Sequence, residues 1–282
     1  MTALTALLLL ITVLALVLVA GWMLVRTPLS RVTVDRFARR QHVALTGSNA
    51  THVVATLTVS HRWRRVGLVV GLLLGVVWSL RQGELTLYFL AGFLGWFAGA
   101  VIAQWRISRL DGPGDRRAAA LAPRGITTYL TPLVRILGGG TLGLAVAAAA
   151  TALVRAGVSV AWTGWALYLG AVVAVLVLTA RAIVERPSGF VDTAVRDADD
   201  ALRCHGLTVL AGAGIAAAYP AIVAFVLQAG YPAGIPSSMD PLWTLGVMIV
   251  LLALGYWVAT GSPSARAGRE PEPILDRGAA HT

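Results

Sequence analysis

Residues 206–229 read GLTVLAGAGIAAAYPAIVAFVLQA, a run without one charged side chain. A helix rises 1.5 Å per residue and the hydrocarbon core of a bilayer is about 30 Å thick, so about 20 apolar residues cross it. The run meets that length. It predicts a transmembrane helix, and together with the other apolar segments it predicts an all-helical membrane protein.

Six other segments share this apolar character, and the complete set predicts seven transmembrane helices. Their bounds are 3–25, 66–80, 85–105, 132–154, 157–180 and 241–260. Segment 66–80 is the shortest, and it can span if Trp63 lies at the interface and Arg81 snorkels outwards. Residues 1–260 would thus form a single polytopic membrane domain. The tail 261–282, rich in Pro, Gly, Ser and charge, is expected to be disordered.

The first of these segments, 3–25, could instead be a signal peptide. A signal peptide begins with a positively charged region, and residues 1–5 carry no positive charge. An uncleaved anchor is therefore the expectation.

The composition agrees with a membrane protein. Of the 282 residues, 57 % are apolar and 13 % charged, whereas soluble domains carry about 25 % charged residues. The net charge of +10 would suggest nucleic-acid binding in a soluble protein. No nucleic-acid motif accompanies it, so we expect no nucleic-acid partner and attribute the charge to membrane orientation.

The distribution of arginine predicts that orientation. All 23 basic residues are arginines, and 21 of them lie in or next to four alternate loops. These loops are 26–65, 106–131, 181–205 and 261–282. Only Arg81 and Arg155 lie on the other side. By the positive-inside rule the basic side is cytoplasmic. The chain is therefore predicted to be a multi-pass protein of the cell membrane, with its N-terminus outside the cell and its C-terminus in the cytoplasm.

The cytoplasmic segment 33–65 has helical periodicity. Its first helix is predicted to have Thr33 as N-cap and Gly47 as its stop. A second amphipathic stretch begins after Asn49 and ends in the basic cluster 61–65, HRWRR. Two interpretations stay open: the helices lie on the inner leaflet, or they pack under the spans. Further along, the i,i+4 pairs Asp192/Arg196 and Asp199/Arg203 predict a short exposed helix.

Small residues recur at every fourth position in three consecutive predicted spans. This spacing stacks them on one helix face, so that helix backbones approach closely and van der Waals contact drives association. We expect packing within the chain, with contact between two copies as the alternative. The helix-packing residues are Gly67, Gly71, Gly75, Gly95, Gly99, Gly139 and Gly143.

Four arginines are candidates for contact with an anion or with the headgroups of anionic lipids at the cytoplasmic face. They are Arg62, Arg64, Arg65 and Arg135. Arg135 lies four residues into a predicted span, and as an alternative it can snorkel to the interface. Intramembrane charge usually marks a transport path, but no Asp or Glu lies inside a predicted span.

No catalytic or metal-binding motif emerges. The single cysteine and the spacing of the five histidines predict no metal site, and we expect no cofactor. One enzyme signature is nearly matched, the DGxxARx8GxxxDxxxD motif of CDP-alcohol transferases, whose carboxylates hold metal. The match begins at Asp111, but Tyr129 and Leu133 replace the last two aspartates. The metal site of that motif cannot form, so we expect that the chain is not an enzyme.

Three stretches together resemble a group of uncharacterised multi-pass membrane proteins of high-GC actinobacteria. They are LTGSNATHVVATLTVSHRWRRVG (45–67), PRGITTYL (123–130) and ADDALRCHGLTVLAGAG (198–214). The resemblance implies a membrane location and no known activity.

The sequence thus favours a non-catalytic structural or accessory component of the cell membrane, in contact with the lipid bilayer and with a membrane protein partner. A small permease or transporter subunit, with a cavity near Arg135 and Pro220, is the alternative. A membrane enzyme that acts on lipid is the third hypothesis.

Overall fold

The computed structural model describes residues 21–22, 28–81, 89–109, 125–186, 193–230, 240–262 and 264–265. Eight helices and no strand lie within these ranges, so the predicted all-helical class is confirmed for the part that the structure describes. The helices are α1 Arg31–Gln41, α2 Ala50–Arg81, α3 Phe89–Ser108, α4 Ile126–Tyr129, α5 Pro132–Ala156, α6 Val160–Glu185, α7 Thr193–Ala229 and α8 Asp240–Gly261.

Four of these helices are long and apolar enough to cross a membrane. They are α5, α6 and α7 in full and the stretch Leu90–Ser108 of α3. In α8 a shorter apolar stretch, Met248–Gly261, is described. Segment 66–80 forms the second half of α2. The predicted span 3–25 lies outside the described residues apart from the helical Gly21 and Trp22.

Helix α7 is the centre of the fold. Its apolar part is 83 % buried, against 22 % for α5 and 33 % for α3 and α6, and it contacts each of these three helices and α8. Ile222 and Phe225 are among its largest fully buried apolar side chains, and they pack with Ala145 and Ala152 of α5. The other helices thus bury one face, whereas α7 is enclosed nearly all round.

Helix α7 is also longer than a bilayer is thick. Its 37 residues give a length of about 55 Å, against about 30 Å of hydrocarbon. The uncharged run that begins at Gly206 is long enough to cross such a layer by itself, which would leave the preceding segment, 193–205, outside it. Pro220 lies within this helix, which continues to Ala229.

The start of α1 corrects one sequence-based expectation. The N-cap is Ser30 rather than Thr33, because the Ser30 side chain accepts a hydrogen bond of 3.3 Å from the backbone N–H of Thr33. The helix ends at Gln41 rather than near Gly47. His42 adopts a left-handed conformation with φ of 51°, which turns the chain so that Val43 becomes buried.

The end of the second amphipathic stretch is a further correction. The stretch begins at Ala50, as expected, with the Asn49 side chain accepting from the N–H of Thr46 at 2.9 Å. It does not end in the cluster 61–65 but continues without a break to Arg81. No proline or glycine interrupts the chain from Ala50 to Val66, so nothing stops the helix before the apolar segment.

Candidate functional site

A buried polar cluster lies where the polar ends of α2, α6 and α7 meet. At its centre are Asp199 and Arg203 of α7, each only 1 % exposed. The Nε and Nη2 of Arg203 donate to Asp199 Oδ2 at 3.0 and 2.8 Å. Its Nη1 donates to the carbonyls of Ile183 and Val184 at 3.3 and 3.0 Å. All three guanidinium nitrogens are therefore engaged.

Asp199 gathers partners from other elements as well. Arg186, directly after α6, donates to Asp199 Oδ1, and His52 Nε2 of α2 lies 3.8 Å from the same oxygen. The neighbouring Asp200 accepts from the Tyr129 hydroxyl of α4 at 3.2 Å. One pair of adjacent carboxylates thus connects α2, α4, α6 and α7.

This cluster corrects the expectation that Asp199 and Arg203 lie on a short exposed helix. The i,i+4 pairing exists, but both side chains are buried at the start of a long helix. A buried ion pair needs further hydrogen bonds to compensate for lost hydration, and here Arg186 and two backbone carbonyls supply them. The sequence spacing indicated the pair, whereas nothing in the sequence indicated Arg186 or His52.

The apolar face of segment 33–65 packs against protein. Phe37 and Val43 join Val53 and Leu57 of α2 in one core cluster. On the α7 side that cluster is completed by Ala198, Ala201 and Leu202. Of the two interpretations left open by the sequence, this arrangement fits packing under the spans. Leu45 and Val54 lie outside this cluster and stay exposed.

The arginines of the basic cluster have different environments. Arg62 is exposed, whereas Arg64 is only 6 % exposed, and its Nε donates to the Ser60 carbonyl at 3.2 Å. Burial and the charge of Arg65 lower the pKa of Arg64 to about 10, so it remains a cation at neutral pH. Burial, followed by the charges of Arg64 and Arg65, lowers the pKa of His61 to about 3.

A small cavity adjoins the polar cluster between α2, α3, α6 and α7. It has room for about one water molecule. Its polar lining residues are Thr56, Ser60, Gln104, Arg186, Arg203 and His205. Arg203 belongs to the i,i+4 pair that the sequence indicated, and Gln104 lies within the predicted span 85–105. Arg135, the predicted anion or headgroup contact of α5, is exposed and is not among the residues that line this cavity.

Four of the predicted packing glycines form one contact between α2 and α3. A Cβ on Gly67 would overlap the Gly95 carbonyl oxygen, and one on Gly71 would lie 3.0 Å from the Gly95 Cα. A Cβ on Gly99 would overlap the Trp63 carbonyl oxygen. Backbone therefore touches backbone along this interface.

The predicted packing glycines of α5 do not share that contact. Gly75 of α2 is buried. Gly139 and Gly143 of α5 are exposed, and no atom of the described residues lies within 4 Å of a Cβ placed on either. Within the described part of the chain, the expected packing is therefore not seen for the α5 pair. The sequence reading also missed a close contact in which a Cβ on Gly212 would lie 2.6 Å from the Ala259 nitrogen.

Comparisons with protein-family models, with curated proteins and with solved structures each gave no match. Within the described residues, no group of three or more His, Cys, Asp or Glu side chains is placed to hold a metal ion.

Proposed function

We propose that the chain is a seven-span protein of the cytoplasmic membrane, with its N-terminus outside and its C-terminus inside. Four apolar helices support a membrane location. The apolar half of α2, the apolar stretch of α8 and the segment 3–25 supply the remaining three spans. The arginine bias supports the orientation. The resemblance to multi-pass actinobacterial proteins agrees with this proposal.

Reporter fusions test this topology. Alkaline phosphatase inserted into the loop 229–241 should be active, because that loop would face outward. A fluorescent protein fused after Thr282 should fluoresce, because the C-terminus would be cytoplasmic. An inactive phosphatase together with a dark C-terminal fusion would contradict the orientation.

We propose further that the protein is a structural or accessory component without catalysis of its own. The observation that carries this proposal is that Asp199 and Arg203, at the centre of the polar cluster, are fully engaged in hydrogen bonds within the protein. Asp199 accepts from both Arg186 and Arg203, and the remaining Arg203 donors go to carbonyls. A catalytic carboxylate needs free lone pairs for a metal or a substrate proton. The lone pairs of Asp199 instead accept hydrogen bonds that join helices.

The interior of the bundle supports the same proposal. Tyr168 donates its hydroxyl to the Ala217 carbonyl at 2.7 Å, and Thr141 donates to the Leu137 carbonyl at 2.9 Å. Around them the core between α5, α6 and α7 is apolar. Among the described residues, the polar side chains named here within the spans are engaged with backbone. This favours a scaffold over a permeation path.

The accessory role predicts a protein partner in the native membrane. Extraction into polymer nanodiscs, which keep surrounding lipid, should yield a particle in which the 29.5 kDa chain accompanies a second membrane protein in fixed ratio. Mass photometry and quantitative mass spectrometry of the same particles measure that ratio. A particle that contains one copy of this chain and no other protein would contradict the accessory role.

A small permease or transporter subunit is the second candidate, and the cavity next to Arg186 is the observation that favours it. Vesicles reconstituted with the purified full chain distinguish the two functions. An accessory component should leave the flux of protons, potassium and chloride equal to that of protein-free vesicles. A flux that scales with the amount of protein would favour the permease.

A further inference from the structure

The cavity beside the polar cluster contains a hydroxyl that the protein does not use. Thr56 Oγ1 is buried without a hydrogen-bond partner, and its residue is 4 % exposed. Thr58, two residues further along α2, donates instead to the Val54 carbonyl at 2.7 Å. The same bond to the carbonyl four residues earlier occurs at Thr141, Thr151, Thr163, Thr208 and Thr260.

Two side-chain nitrogens near Thr56 are also buried without a hydrogen-bond partner. His205 Nε2 is buried without a hydrogen-bond partner, and His205 lines the same cavity. Its ring is held by an edge contact with Phe37, with the ring centroids 5.5 Å apart. Arg64 Nη2, two turns along α2 from Thr56, is likewise buried and unpartnered. Buried polar groups that lack a hydrogen-bond partner destabilise the folded state, and charged groups do so more than neutral ones.

The charges around the cavity do not balance. The cations there are Arg64 and Arg203, which are buried, and Arg186, whose side chain is 13 % exposed. Among the described residues, Asp199 is the fully buried carboxylate opposite them. The Asp200 side chain is 29 % exposed and lies 4.0 Å from Arg203 Nε. No carboxylate of the described residues contacts the Arg64 guanidinium. A buried cation without a counter-charge is strongly unfavourable, so this region favours an anion over a neutral molecule.

We propose that this cavity binds one small monovalent anion of the halide class, with chloride as the reference ion. The Thr56 hydroxyl and a proton on His205 Nε2 would donate hydrogen bonds to it, and the excess guanidinium charge would supply the attraction. A water molecule could satisfy the hydrogen bonds but would leave the charge uncompensated. The size of the cavity excludes sulfate, phosphate and lipid headgroups, which need several times that space.

The experiment uses the full chain purified in detergent and kept in sodium gluconate. Addition of chloride should broaden the ³⁵Cl resonance in proportion to the protein, and bromide should reverse the broadening. Sulfate at equal ionic strength should not. Chloride should also raise the thermal unfolding midpoint by about 3 °C, because a ligand that binds only the folded state stabilises it.

Thr56→Val and Thr58→Val form a matched pair on one helix. Valine keeps the shape of threonine and removes the hydroxyl. Thr56→Val should lose most of the chloride-dependent broadening and the thermal shift, whereas Thr58→Val should keep both. Equal broadening in the two variants would overturn the proposal, because chloride would then be bound by surface arginines.

A second pair covers the case in which Thr56→Val does not fold. Arg64→Gln should weaken chloride binding at least tenfold, while Arg62→Gln, which removes an equal but exposed charge, should change it less than twofold. An absence of chloride effects in the unmodified chain would show that the cavity holds only water and would overturn the proposal. Reversal of the broadening by sulfate as effective as that by bromide would also overturn it.

Discussion

Two sets of glycines with the same four-residue spacing have opposite surroundings in this protein. On α2 and α3, a Cβ on Gly67 or Gly71 would run into the backbone of the facing helix. On α5, no atom of the described residues lies within 4 Å of the Cβ positions of Gly139 and Gly143. The spacing shows that a helix face can be approached closely. It does not show whether another helix approaches it.

The difference follows from how α5 meets the centre of the fold. The face that it buries carries Val134, Thr141, Ala145, Ala148 and Ala152, and α7 packs against this face. Alanines are small enough to bring α7 close. The glycines of α5 lie on a different face and stay exposed. Alanine, rather than the smaller glycine, therefore forms the contact with α7.

The largest effect is expected for Gly71→Leu in the α2–α3 contact. The clash would be with the Ala91 carbonyl oxygen and the Gly95 backbone, which cannot move aside as a side-chain rotamer would. The helices must separate, at a cost at the upper end of the 1–3 kcal/mol typical of overpacking or beyond it. Thermal unfolding in detergent should show a fall of roughly 6 °C or more. An unchanged midpoint would mean that α2 and α3 are not in contact in solution.

A smaller but clear loss is expected for Gly212→Val, at the α7–α8 contact that the sequence did not reveal. The new side chain would press against the Gly255 carbonyl and against Ala259, and α8 can shift more easily because it contacts chiefly α7. We expect a loss of about 2 kcal/mol, measured by the same unfolding assay. Gly164→Val, at an open position of α6, is the matched control. A loss in the control equal to that in Gly212→Val would attribute the effect to helix propensity.

Acid should weaken the α2 region and leave α5 unaffected. Burial, with Arg64 and Arg65, lowers the pKa of His61 from 6.5 to about 3, so below pH 6.5 the unfolded chain binds a proton that the folded chain resists. Stability should therefore decrease as the pH falls from 6.5 towards 3. His61→Gln should reduce that decrease, measured as unfolding midpoints between pH 7 and pH 5. His42→Asn, at an exposed histidine, should leave the slope unchanged. Equal slopes in His61→Gln and the unmodified chain would contradict the assignment.

The smallest effect is expected for Gly143→Leu. Its side chain would enter open space, and replacing a glycine within a helix by leucine adds up to about 1 kcal/mol of helix propensity. The unfolding midpoint in detergent should stay equal or rise slightly. A large fall in the unfolding midpoint would show that a second copy or a partner occupies this face in the purified protein. Gly143 would then be a packed position like Gly71.

The sequence predicted the helical class and the principal apolar segments because a run of about 20 apolar residues is visible in the sequence and matches the thickness of the hydrocarbon layer. It placed helix ends less well. Ser30 and Thr33 are both good N-caps, and only the chain geometry decides between them. The bonds of Asp199 illustrate a further limit. Its local partner Arg203 follows from helix spacing, whereas His52 lies far away in sequence and reaches it only through the packing of α2 on α7.

The cavity could not have been predicted from the sequence. Thr56 and Thr58 are identical in type and belong to one helix, yet only Thr58 uses its hydroxyl on the backbone. The difference arises because Thr56 faces α7 and Thr58 faces away. Periodicity placed the two threonines on different faces of α2, but it did not indicate which residues of other helices would surround Thr56.

The bond between the Asn49 side chain and the Ala194 carbonyl has a consequence for biosynthesis. These groups lie 145 positions apart in the chain. At about 5–20 residues per second, a ribosome takes roughly 7–30 s to make the intervening segment. During that time Phe37, Leu57 and Arg64 have no α7 against which to pack. In the topology proposed above, the newly made segment would wait at the membrane surface, where anionic headgroups would attract its arginines, until α7 is inserted.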